Sequence, residues 1–360
     1  MKILHVITHF DQGGAERVAI NIAKSNTVGF EYHVVEVVRT KGAFRDGLLQ
    51  ECKDNGIFIH TSPIKNNKLA ILSFPLRFLF IVLIVRPNVV HVHTEIPDLS
   101  LFIWHTLFGR VFPHLRFVRT IHNTELWNKW KWIGNFVEKF FKRNKSNVAI
   151  SISTKDCYQK AYNEIVPVIF NGLEEAGQKA FDNIVSGKKN ILFAGRLEFQ
   201  KGVDELCEVV RRMEKNESLF FHIVGNGSMR NKIDSLVNLS NVCIYDKVYG
   251  LSQYLESFDY VFMPSNFEGF GLLSVESSLA KVPTIINQCS GLNETLPENW
   301  PLKVENNSVD QFVEIFNSLD LFDRNVLGQK AFDFAKEHFS INKMQREYEL
   351  LYEQKVYGQV

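Results

Sequence analysis

At 360 residues, with 45% apolar and 22% charged side chains, the chain is long enough for two domains and greasy enough to build a core in each. A formal net charge of +1 argues against a polyanion partner held by bulk charge. The charge is unevenly spread: residues 1–165 hold 22 Lys/Arg against 13 Asp/Glu, and the remainder 19 against 27. A basic first half suits phosphate or a lipid surface, with chance drift of surface charge as the plain alternative. Five scattered cysteines (Cys52, Cys157, Cys207, Cys243, Cys289), odd in number and without a CxxC pair, point to a reducing compartment with neither a disulfide framework nor a zinc site. The amino terminus lacks the pattern of a cleaved signal. The longest apolar run, Phe78–Val85 between Arg77 and Arg86, reads as too short to span a bilayer, so a cytoplasmic protein is expected.

In chain order, short β-branched runs are predicted as strands at Ile3–Thr8, Tyr32–Val38, Ile57–His60, Val89–His93, Arg116–Ile121 and Val148–Ser151, with helix-length segments between most of them. The alternation restarts at Ile191–Ala194 and continues through Phe220–Val224, Val242–Tyr245, Tyr260–Met263 and Thr284–Asn287. Strands alternating with helices imply parallel sheets covered on both faces, here an α/β architecture built twice. The polar stretch from Asn171 to Lys189, with Gly172, Gly177 and Gly187, is read as the interdomain linker. Ser340–Glu353 reads as a terminal helix, with Met344, Tyr348, Leu351 and Tyr352 at helical spacing.

Four glycine-centred turns follow predicted strands. In Gly13-Gly14-Ala15-Glu16-Arg17, ahead of a helix expected over Arg17–Lys24, the glycines let backbone approach an anion, or make a plain turn. Gly195-Arg196, with Lys201-Gly202 just beyond, puts two cations at one strand end; a diphosphate would use both, and solvated loop charges are the alternative. Gly225-Asn226-Gly227 begins like a GxGxxG fingerprint but has Arg230 at the third glycine position, so a tight strand-to-helix turn is the better reading. In the fourth, Glu268-Gly269-Phe270-Gly271-Leu272-Leu273-Ser274-Val275-Glu276, two glutamates bracket a helix start whose open N–H groups suit phosphate oxygens.

The ordered set GGAER, GRLEFQKG, VGNGSMR and EGFGLLSVE, with HVHTE at 91–95, RTIHNTE at 119–125, SIST at 151–154 and FNG at 170–172, resembles the retaining glycosyltransferases of family four. The match runs from residue 13 to about 295, and the E-x7-E element with Gly-Arg…Lys is its specific part. The resemblance implies the GT-B fold: two Rossmann-like doubly wound parallel-sheet domains facing across a cleft. The first (1–170) would take the acceptor, with a terminal helix (341–360) packed back on it, and the second (171–340) the donor. It also implies that Arg196 and Lys201 hold the donor diphosphate, that Gly271, Leu272 and Leu273 offer amides to it, and that Glu276 binds ribose hydroxyls. Glu268 would lie beside the transferred sugar, Gly13 and Gly14 would close over the diphosphate from the other domain, and His122 would stand near the reacting carbon. His91 and His93 are read as strand-end histidines. The sequence departs from the family at Leu173-Glu174-Glu175 after FNG and at Ser290-Gly291-Leu292-Asn293-Glu294.

Trp127, Trp130 and Trp132 stand among Lys129, Lys131, Lys139, Lys142 and Arg143, a mixture suited to an acceptor or to an anionic membrane surface. Alternatively Ile133, Phe136, Val137, Phe140 and Phe141 form the inner face of an ordinary helix. No Asp-x-Asp occurs, so no metal or other cofactor is expected beyond the nucleotide-sugar substrate, and no nucleic acid partner. By the resemblance, a UDP-sugar donor and a glycan or lipid-linked glycan acceptor are expected, in synthesis of a bacterial cell-surface polysaccharide or lipopolysaccharide at the inner face of the membrane. A non-catalytic nucleotide-sugar-binding subunit and a GT-B-shaped epimerase or phosphorylase are the rival readings.

Overall fold

The computed structural model describes residues 1–11, 13–128 and 130–357, the last three as backbone only. Twelve strands are present among the described residues: β1 Lys2–Ile7, β2 Glu31–Glu36, β3 Phe58–His60, β4 Val89–His93, β5 Arg116–Ile121, β6 Asn147–Ala149, β7 Lys189–Ala194, β8 Leu219–Val224, β9 Val242–Tyr245, β10 Tyr260–Met263, β11 Thr284–Asn287 and β12 Lys303–Val304. Between and after them run α1 Gly14–Ala23, α2 Ala43–Asp54, α3 Asn67–Val85, α4 Glu95–Phe108, α5 Lys131–Arg143, α6 Ile152–Tyr162, α7 Val203–Arg212, α8 Arg230–Asp234, α9 Leu272–Leu279, α10 Val309–Asn317, α11 Arg324–His338 and α12 Ile341–Tyr357. All strand pairs are parallel, in two six-stranded sheets ordered β3-β2-β1-β4-β5-β6 and β12-β11-β10-β7-β8-β9. The chain thus forms two compact units, Met1–Gly172 with the terminal helix, and Leu173–Ser340.

The central strands are buried on both faces, which is why they read as near-continuous Val/Ile/Leu/Phe runs rather than as alternating ones. Helix starts follow local chemistry. Asn66 accepts from the Lys68 and Leu69 amides to open α3, and Asp323 caps α11 in the same way. Ser151 accepts from the Thr154 amide at 2.9 Å, so the residue expected to end strand β6 instead caps α6.

Two expectations are corrected here. The stretch read as a linker has no regular secondary structure but is tied to the second unit: the Phe181 amide donates to Ser257, Val185 to Asn190, and Phe181 packs on that unit's core. The chain crosses between units at Gly172–Leu173 instead. The apolar run does not begin at Phe78. Arg77 turns back to the Glu36 carbonyl, and α3 continues through it for 19 residues, long and apolar enough by length and composition to cross a membrane.

Candidate functional site

In the second unit the loop after β7 carries Gly195 and Arg196, a short 3-10 turn over Phe199–Lys201 follows, and Gly202 starts α7. Gly202 is left-handed (φ 67°), and a Cβ there would stand 1.7 Å from the Pro264 carbonyl oxygen, so only glycine lets this turn lie against the end of β10. That approach delivers Lys201. Its stem lies over Gly195, and its Nζ meets Glu268 Oε1 at 2.5 Å. Glu268 is buried and also accepts from Ser265 Oγ at 2.8 Å. Its backbone is held from behind: the Glu268 amide donates to the Ser290 carbonyl, and left-handed Gly291 lies flush against the Glu268–Gly269 main chain. In the departing Ser290–Glu294 segment the retained Gly291 is thus a packing element, and Ser290 contributes its carbonyl. The other departure is likewise local, with Leu173 bonded to Phe339 and Glu175 ion-paired to Lys336.

Gly271, left-handed at φ 81°, caps the start of α9. The amides of Gly271, Leu272 and Leu273 precede the helix's own i−4 acceptors and point off its start. Glu276 follows within α9, half-buried. Arg196 is an exposed guanidinium bonded to Gln200 at 3.1 Å. The structure therefore gathers Arg196, Lys201, Glu268 and the α9 start at the carboxyl ends of β7 and β10, adjacent strands of the sheet, where ligands of doubly wound folds collect. The third turn is structural: Gly225 and Gly227 leave no room for a Cβ against the Gly195 and Leu197 backbones, and Arg230 pairs with Asp234 and Asp246.

In the first unit the helix begins at Gly14, three residues before its expected start, and Gly13 is the extended residue ahead of it. The Glu16 carboxylate folds back to where a Gly13 Cβ would be, 2.1 Å away, and is buried. Glu16 stands at the third helical position, the place of the acidic partner in a capping box, so its spacing from Gly13 in GGAER is the local signal for this fold-back. His122 follows β5 and belongs to a chain of rings: its Nε2 meets His93 Nδ1 at 3.1 Å, and His93 Nε2 meets His5 Nδ1 at 3.0 Å. A neutral imidazole has one donor and one acceptor nitrogen, so the three rings must point their protons the same way along the chain. The tautomer of His122 is therefore coupled through His93 to that of His5. Burial drives the His5 and His122 pKa values down to about 3, and those of His91 and His93 well below the usual value. His5, His91 and His93 place ligand atoms within 4.8 Å of one another. Yet His91 is spent on Tyr352 and Thr120, both at 2.7 Å, and both nitrogens of His93 are in the chain, so the cluster reads as a hydrogen-bonded row rather than a metal cage. His93 is thus no plain strand-end histidine.

Trp127 corrects an expectation. It is 4% exposed, its indole donates to Glu138 Oε1 at 2.6 Å, and Gly134 makes room for it, so it offers no exposed face to a membrane, although it lines the neighbouring cavity. Glu138 also takes Arg119 bidentately at 2.7 and 2.8 Å and the Tyr158 hydroxyl at 2.7 Å, which turns α5 so that Gly134, Val137, Phe140 and Phe141 face inward and Phe136 outward. Trp130 and Trp132 are exposed; Lys129 lies outside the described residues. A cavity of about 460 Å³ opens beside this cluster, lined among others by Asn123, Glu125, Asn128, Lys131, Asn135 and Tyr162.

The model of the Glycosyltransferase Family 4 family matches residues 12–176, and that of Glycosyl transferases group 1 matches residues 176–321. A Staphylococcus aureus capsular polysaccharide biosynthesis glycosyltransferase, CapH, is 25% identical over 92% of this chain and 97% of its own. An uncharacterized 41.2 kDa protein in the cps region of Klebsiella pneumoniae is 26% identical over 98% and 99%. The crystal structure of Anabaena Alr3699/HepE in complex with UDP and glucose superposes with a TM-score of 0.79 at 16% identity, over 98% of this chain and 99% of that one. With two glycosyltransferase models end to end along the chain and two Rossmann-like six-stranded sheets beneath them, the chain is a glycosyltransferase of the GT-B fold.

Proposed function

We propose that the enzyme transfers a sugar from a UDP-sugar to a hydroxyl of a glycan or lipid-linked glycan, with retention at the anomeric carbon and without a metal ion, in the synthesis of a cell-surface polysaccharide. The observation that carries the reading is the Lys201–Glu268 pair, held by glycine contacts beside Arg196 and the α9 start. As the glycosidic bond breaks, the leaving diphosphate gains negative charge. Arg196, Lys201 and the amides of Gly271 to Leu273 would stabilise that charge more in the transition state than in the ground state. Glu276 would take the ribose hydroxyls, and Glu268 the sugar. His122, its proton position coupled to those of His93 and His5, is the proposed group near the reacting carbon, and Gly13 and Gly14 the proposed further donors to the diphosphate. The polar cavity beside Trp127 is offered to the acceptor. The capsular relative and the UDP complex of the structural neighbour support the pathway and the nucleotide. We place the enzyme in the cytoplasm, at the inner face of the membrane.

The test is donor binding followed by turnover. UDP at about 100 times its Kd is expected to add roughly 2.7 kcal/mol to the stability of the wild type, and much less to Lys201→Ala. If GDP or ADP shifts the transition and UDP does not, the nucleotide is wrong. A requirement for divalent metal, or inversion at the product's anomeric carbon, would overturn those parts of the proposal.

A further inference from the structure

Helix α3 leaves half of its apolar surface without a partner. Phe74, Phe78, Val82 and Val85 are buried in the first unit's core. On the other side Leu69, Leu72, Leu76, Phe80 and Leu83 are 58%, 77%, 62%, 64% and 51% exposed, and Ile84 is 79% exposed. Steps of three and four residues align the first five on one outward stripe. Helix α4 packs beside α3 and α5 beside α4, and the layer continues the theme with exposed Leu107, Val111, Trp132 and Phe136. Scattered exposed leucines need no explanation, whereas an unbroken stripe of this length on one helix marks an interaction surface.

The charges around it select the occupant. No Asp or Glu occurs from Asn55 to Thr94 or from Leu99 to Thr124. Lys65, Lys68, Arg86 and Arg110 are exposed at the ends of α3 and α4. On α5 the only acid, Glu138, is buried on Arg119. Lys41 lies so close to Lys65 that it holds the Lys65 ammonium below its usual pKa, a pair of cations without an intervening acid. A second copy of the same face would set cations against cations, which disfavours self-association. Spanning is also disfavoured, because α3 is the crossover between β3 and β4 of one sheet and its Arg77 is bonded to that sheet's Glu36 carbonyl.

We propose that the α3 face, with the helix layer it shares with α4 and α5, seats the first unit in the interfacial zone of a lipid leaflet rich in anionic headgroups, its Leu and Phe side chains entering the acyl boundary while Lys65, Lys68, Arg86 and Arg110 meet lipid phosphates. The inference goes beyond the donor reading and does not rest on it. It also moves the membrane contact away from Trp127 to a face centred on another helix.

Flotation of the full chain with vesicles tests it. The wild type is expected to float with phosphatidylcholine vesicles containing phosphatidylglycerol at low salt, and to be lost at high salt or with phosphatidylcholine alone. The triple variant Leu72→Ser/Leu76→Ser/Phe80→Ser, whose side chains are exposed and whose melting should hold, is expected to lose about tenfold or more in vesicle affinity. Lys65→Glu/Lys68→Glu is expected to flatten the salt dependence. A wild type that stays with the soluble fraction at low salt, or a triple variant that floats equally well, overturns the proposal. So does light scattering that shows a wild-type dimer made monomeric by the triple substitution, since the occupant is then a second copy. The thermal shift given by UDP is read on the same preparations and is expected to be unchanged by either variant. A missing UDP shift would therefore count against the donor site and not against this face.

Discussion

The two units share a parallel six-stranded plan and fill the carboxyl ends of their central strands with opposite materials. In the first, His5, His91, His93 and His122 stand side by side, neutral, and bonded to one another or to Thr120 and Tyr352. In the second, Gly202, Gly225 and Gly291 bring main chain against main chain, and the Lys201–Glu268 ion pair is set among them. A row of neutral rings couples the proton position of one imidazole to its neighbours' but presents no charge. Close-packed glycine turns contribute no chemistry of their own, yet they set a cation, a carboxylate and a helix start at fixed separation. One fold thus divides the labour between a row of neutral hydrogen-bonded rings and a held pair of charges.

Acid should break that comparison most sharply. A histidine whose folded pKa is depressed contributes stability that is complete above its unfolded pKa, near 6.5, and is lost as pH falls from there toward the folded value. For His5 and His122 that window runs from about 6.5 to about 3, and for His91 and His93 it also opens below 6.5. Each costs roughly 1.4 kcal/mol per pH unit within it. In the second unit His222, depressed to about 4, is the only histidine with such a shift. Between pH 7 and pH 5 the first unit is therefore expected to unfold while the second persists. Hydrogen-exchange mass spectrometry, corrected for intrinsic rates, would read it; equal protection loss in both units contradicts the assignment.

The next effect belongs to the second unit. Lys201→Ala is expected to lower transfer by on the order of 10²–10³, the usual cost of one transition-state donor. Glu268→Gln should separate the pair's two jobs. Without its carboxylate partner Lys201 should hold free UDP more tightly, by a few-fold on the scale of a charge-assisted bond, while transfer falls. If both variants bind UDP and turn over like the wild type, the pair is structural only.

How far the sequence could be read follows the same physics. Parallel strands were legible because burial on both faces leaves unbroken β-branched runs, and the glycine loops because their order and spacing are local. Helix α3 was not, since an almost wholly apolar helix has no periodic contrast and Arg77 looked like a boundary until its guanidinium was seen turned inward. The imidazole row depends on strand register, with His5 opposite His91, and the Lys201–Glu268 pair joins residues 67 positions apart. Neither can be derived from spacing. Glu16 was within reach, because its place in the first turn of α1 is itself the signal.

Gly202→Ala sharpens the contrast at smaller amplitude. The left-handed backbone alone costs roughly 1–2 kcal/mol with a Cβ, and the Pro264 carbonyl in its way adds to that. Urea unfolding should show a lowered midpoint for the second unit, with the first unit's transition unmoved. Gly177→Ala, in open space, serves as the control.

Smallest is the effect that separates two tryptophans of one segment. Trp127 has a positive φ of 60°, buries its ring against Gly134 and donates to Glu138, whose other acceptor sites serve Arg119 and Tyr158. Phe at this position keeps the backbone and most of the ring, so Trp127→Phe isolates the lost indole bond, about 1–3 kcal/mol because a buried carboxylate is left short of a donor. Trp132, 71% exposed, has no such bond, and Trp132→Ala should change stability by less than about 0.5 kcal/mol. If the two substitutions cost the same in chemical denaturation, the indole of Trp127 is not what holds Glu138 and Arg119 in place, and the inward turn of α5 comes from Arg119 and Tyr158.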